Sequence, residues 1–133
     1  MRIFYSPSSD PTLLGPGAEL NSLHACFSEF LASTDTTISV PAEVTLSPKP
    51  YQQFLPGLRL KKTKGAVCLC FAEDGWLELS GSVLNLSKYV SHFRFEPSEK
   101  DAHHHPDNAN YMAANSLRLI IEADATWGEE NAG

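Results

Sequence analysis

The residues best suited to chemistry are the run His103, His104, His105, Pro106, Asp107. In an extended segment His103, His105 and Asp107 project to one side and His104 to the other. Pro106 biases His105 toward that extended conformation. Two imidazoles and a carboxylate on one side suit a transition metal, which would make the chain a small metal-dependent enzyme. The ordinary reading is a solvated polar loop ahead of a buried strand. A catalytic zinc also needs a further strong ligand and supporting hydrogen-bond partners, and the sequence names neither. Cys68 and Cys70 stand two residues apart on an expected strand and so share a face. Such a pair binds metal or forms a strained disulfide. The ordinary reading makes them small apolar residues on a buried face, as is Cys26 on the first helix. No second cysteine pair completes a zinc set.

Other catalytic patterns fall away quickly. Cys26 with His24 lacks an orienting group and a pocket. No Gly-x-Ser-x-Gly elbow occurs, and Gly15-Pro16-Gly17 has neither the strand before it nor the spacing after it for a phosphate or dinucleotide loop. Glu73-Asp74 and Glu129-Glu130 fall in a turn and a tail, where solvation explains them. Arg59, Lys61, Lys62 and Lys64 read as an edge strand whose charges block strand-to-strand aggregation. No catalytic set assembles, so the expectation is a non-enzyme without a cofactor.

The elements that position these residues follow from periodicity. Arg2 to Tyr5 reads as a short strand, closed by a loop from Ser6 to Pro11. Leu20, Leu23, Phe27, Phe30 and Leu31 recur at helical steps and predict a helix to about Ala32, started by Pro16 and Gly17. Thr36 to Val40 is β-branched and reads as a strand. Four prolines between 41 and 57 disfavour a regular element. Leu58 and Leu60 alternate with Arg59 and Lys61, as in a strand with one wet face. Lys64-Gly65 turns the chain into a strand over 66–72 with Val67, Leu69 and Phe71 on one face. Asp74-Gly75 predicts a tight hairpin into Trp76 to Ser80. Gly81 and Ser82 open a helix with Val83, Leu86, Val90 and Phe93 buried. A polar loop from Pro97 to about Ala114 precedes a last strand, from Ser116 to near Ala123. The expected fold is α+β: a single domain over 1–133, an antiparallel sheet with about two helices packed on one face.

Composition narrows the function. At 133 residues and 42% hydrophobic, the chain suffices for one core and not for two. No apolar run is long enough for a membrane span. No basic n-region and apolar h-region open the sequence, and three cysteines leave no paired framework, which fits a reducing cytoplasm. From Glu96 onward eight acids meet two bases, while before it eight meet eight, so the whole net charge of −6 sits in the last segment. That balance disfavours nucleic acid and suits a basic protein partner. On charge location the expected partner-binding residues are Glu122, Asp124, Trp127, Glu129 and Glu130, with Glu99 and Asp101 as rim.

The second half carries a sequence of motifs: Leu77-Glu78-Leu79-Ser80-Gly81-Ser82 as strand into Gly-small, Leu86 and Val90 as a short helix stripe, and His103-x-His105-x-Asp107 as a loop. Asn115-Ser116-Leu117-Arg118-Leu119-Ile120-Ile121-Glu122 closes it. This order resembles the immunity protein 32 family of bacterial polymorphic toxin systems; His104 and the position of Tyr111 depart from the pattern, and residues 1 to 65 carry no matching motif. The resemblance implies a cytoplasmic protein that binds and neutralises a cognate toxin by covering its active site. Two other readings stand beside it: the metal-dependent enzyme, and a subunit that pairs through the edge strand near Lys61.

Overall fold

The computed structural model describes residues 1–6, 9–44, 53–96, 101–106 and 110–124. Two sheets share one hydrophobic core. The first runs in the order β4 (Gln53–Phe54), β1 (Arg2–Ser6), β2 (Ser9–Gly15), β9 (Ile120–Asp124), β8 (Asp101–His104). The second is β3 (Thr37–Pro41), β5 (Gly57–Lys62), β7 (Leu77–Gly81), β6 (Cys68–Phe71). Among the described residues no helix is long and apolar enough to cross a membrane.

The α+β class and the two helices are as expected, but the sheet is divided in two and both parts are mixed. β2 pairs parallel with β9, and β5 parallel with β7. Asp74-Gly75 does close the β6–β7 hairpin, with Gly75 at φ 87°. What periodicity could not supply is the partner: β7 inserts between β5 and β6, so those two successive strands are not neighbours in the sheet.

Two strands lie where loops were expected. In β2, Asp10 and Pro11 face Tyr5 across a bulge between the pairs Phe4–Thr12 and Ser6–Ser9. Such an irregularity accommodates a residue without an N–H, so Pro11 does not end the strand. β8 is built from Asp, Ala and two histidines, residues of weak strand preference, and exists through its pairing with β9. The stretch before β9 first follows the free edge of β6. Val67 N–H donates to Tyr111 O at 2.8 Å, Ala113 N–H to Val67 O at 2.8 Å and Leu117 N–H to Leu69 O at 2.8 Å. The chain then crosses into the first sheet, so the regular last strand starts at Ile120 rather than at Ser116.

Helix α1 (Gly17–Ala32) buries the five residues its periodicity marks. Each fully buried Leu or Phe contributes about 1.5–3 kcal/mol of transfer free energy, before entropy is subtracted. Helix α2 (Val83–Val90) starts on Ser82, whose Oγ accepts from Asn85 N–H at 3.2 Å. Its buried side is Leu86, Tyr89 and Val90, continued by Phe93 in a 3-10 turn (Ser91–Phe93). Val83, expected inside, is exposed because the first turn leaves its stripe on the solvent side. Phe27 and Phe93 meet edge to face at 5.3 Å and join the two helical segments. Asn21 fastens the same joint: its amide donates to Phe95 O at 2.9 Å and accepts from Phe95 N–H at 2.8 Å, as a strand neighbour would.

Candidate functional site: the β8–β9 edge

The end of the first sheet gathers most of the chemistry that can be described. β8 runs antiparallel to β9 with Asp101 opposite Asp124, Ala102 opposite Ala123, His103 opposite Glu122 and His104 opposite Ile121. Ile121 and Ala123 are buried, so their side of the pair faces the core, and Ala102 and His104 share it. The alternation then assigns His103 and Glu122 to the opposite, outer face. One acid expected at a partner surface, Glu122, therefore lies on the outer face of an edge pair, opposite His103. Glu99, Asp107, Trp127, Glu129 and Glu130 lie outside the described residues.

The three histidines divide as an extended run requires. His103 and His105 are exposed, with ring centroids 4.9 Å apart and perpendicular. Asp107, the third member of the candidate metal set, lies outside the described residues. Among those residues no three His, Cys, Asp or Glu side chains converge on a metal position.

His104 turns inward, and its setting was not foreseen from sequence. Its ring stacks on Phe95 at 4.1 Å and 2°. Its Nδ1–H donates to His92 O at 2.7 Å. Since a carbonyl oxygen only accepts, Nδ1 is the donor. His92 in turn has its Nε2 3.5 Å from the Tyr111 hydroxyl and its ring 6.2 Å from that of His104. Burial, with His104 adding to it, lowers the His92 pKa, and burial raises that of Tyr111. Tyr89 sits behind them, fully buried, its pKa raised by burial and by Tyr111. This seam fastens β8 to the turn after α2.

Other candidates resolve differently. The basic strand is not an edge: β3 pairs with β5 along its length, with Thr37 opposite Lys61. That removes the reading in which a subunit docks along the strand near Lys61. Arg59 is engaged by Asp74 at 2.7 Å and Glu78 at 3.5 Å, and lies over the Trp76 ring at 5.2 Å. The Arg59 hydrogen bond holds the Asp74 carboxyl below its ordinary range. Lys62 reaches Ser33 O at 2.7 Å and covers Phe30. His24 and Cys26 are two apart on α1, a spacing at which helical side chains do not face each other. Cys26 lines an open cavity of about 230 Å³ with Glu29, Phe30, Ser33, Asp35 and Ile38. The expectation that Cys68 and Cys70 face the core is corrected: Val67 and Leu69 occupy it, and alternation sends both cysteines outward.

No protein-family model, no curated protein and no solved structure matches this chain.

Proposed function

We propose that this protein is an immunity protein that acts in the cytoplasm, binding a basic cognate toxin through the outer face of the β8–β9 edge and covering the toxin's active site. The observation that carries the reading is the register that sets Asp101 opposite Asp124 and His103 opposite Glu122. The acids of the closing segment would draw a partner's lysines and arginines and accelerate encounter at low salt. The motif order from Leu77 to Glu122, which resembles immunity proteins, supports the same reading. The test is the triple variant Asp101→Asn, Glu122→Gln, Asp124→Asn, with association kinetics measured against the product of the adjacent open reading frame. The variant should associate more slowly and with a flatter salt dependence; unchanged kinetics would contradict the proposal.

A second reading, a small metal-dependent enzyme, draws support from the two exposed imidazoles of His103 and His105 at 4.9 Å. Stoichiometric metal in the purified, tag-free protein, lost in the His103→Ala/His105→Ala variant, would favour it.

A further inference from the structure

The outer face of β6 carries chemistry that the acidic edge does not use. Cys68 is half-exposed, Cys70 is exposed and both are free thiols. A buried cysteine is explained as a small apolar residue, but these two are not buried, and packing does not call for sulfur there. Their cross-strand neighbours are Ser80 and Glu78, and beyond those on β5 come Lys61 and Arg59. On the other side of β6, Asn115 Oδ1 lies 4.0 Å from Cys68 Sγ.

Geometry selects among the uses of such a pair. Positions i and i+2 of a strand are about 6.6–6.8 Å apart, the upper limit of Cα separation for a disulfide. A metal–thiolate bond is about 2.3 Å, so two in line span about 4.6 Å, and each sulfur has to lean inward by only about 1 Å. Among the described residues no third His, Cys, Asp or Glu converges with them, so a tetrahedral ion is not served and a two-coordinate one is. Soft thiolate ligands favour monovalent copper. We propose that Cys68 and Cys70 form a two-coordinate binding site for a soft monovalent ion, Cu(I), on the open face of the second sheet.

Binding converts two thiols into two Cu–S bonds and releases two protons; no electron is transferred and no oxidant is needed. The resulting site carries one net negative charge. Lys61 lies in the same exposed row, and Arg59 already offsets Glu78 at 3.5 Å, so the surroundings tolerate it.

The test is an anaerobic titration of the reduced, tag-free full chain with Cu(I) against a chromophoric chelator, followed also by the thiolate-to-copper absorption band. The wild type should take up one equivalent. Cys68→Ser and Cys70→Ser should each lose affinity by about 100-fold or more, since removing even the group behind a ligand costs roughly 10–100-fold. Cys26→Ser and the His103→Gln/His105→Gln variant should retain both affinity and the band. Serine keeps the shape of the site, and circular dichroism checks that the variants fold. Wild-type affinity in either Cys68→Ser or Cys70→Ser would overturn the proposal. So would a wild type that competes no better than the Cys68→Ser/Cys70→Ser double variant.

Discussion

Tyr89→Phe should make the protein more stable. Tyr89 is fully buried, and its hydroxyl has no hydrogen-bond partner among the described residues. A buried hydroxyl in that position forfeits its hydration, a cost of about 1–3 kcal/mol. Phenylalanine keeps the ring, and with it the edge-to-face contact with His92 at 6.5 Å, while removing only the oxygen. The net gain is set near the low end, about 1 kcal/mol, because the vacated space leaves a small void. For a chain of this length that corresponds to a rise in Tm of about 4 °C. Urea unfolding at neutral pH measures it, with the slope unchanged and the midpoint moved upward. A loss of about 1 kcal/mol or more would refute the reasoning, because the hydroxyl would then be making a bond that stabilises the fold.

Three further outcomes follow from the same region. Asn21→Ala strands the N–H and C=O of Phe95, a residue only 3% exposed, and should cost about 2–4 kcal/mol in urea unfolding. His104→Ala removes the stack on Phe95 and the bond to His92 O and should cost about 2 kcal/mol, whereas exposed His103→Ala should stay within about 0.5 kcal/mol; equal effects would contradict the division of the histidines. The folded-state pKa of His92 is lowered, so the unfolded chain takes up its proton first. Stability should therefore fall as pH drops below the unfolded value of about 6.5 and level off below the lowered folded value. His92→Gln should flatten that dependence in urea midpoints collected across the range, and an unaltered profile would contradict it.

Parts of this fold were legible because local physics decided them. The α1 stripe is buried residue for residue, since helical spacing and burial are the same information. Asp74-Gly75 closes its hairpin because the turn demands positive φ at Gly75. Partner choice was not legible: nothing within Leu58 to Lys61 states that β7 will pair on one side and β3 on the other. β8 was hidden because Asp and His read as loop, and only the strand across from them makes them extended. The register that aligns Asp101 with Asp124 and His103 with Glu122 was hidden with it. The His104–His92–Tyr111 seam joins residues 12 and 19 apart, through the His92 carbonyl and the Tyr111 hydroxyl, and these meet only after α2 turns the chain. Its one signal in the sequence was a third histidine where a ligand pattern called for two.

The most direct measurement of the central claim is growth on co-expression with the product of the adjacent open reading frame. If this chain is an immunity protein acting through the β8–β9 face, that product should arrest growth when expressed alone. The wild-type chain should restore growth, and the Asp101→Asn, Glu122→Gln, Asp124→Asn variant, folded and equally abundant, should restore it poorly. A neighbouring product that arrests growth but is not neutralised by the wild-type chain would contradict the claim of immunity. Full rescue by the triple variant would contradict the surface assigned to it.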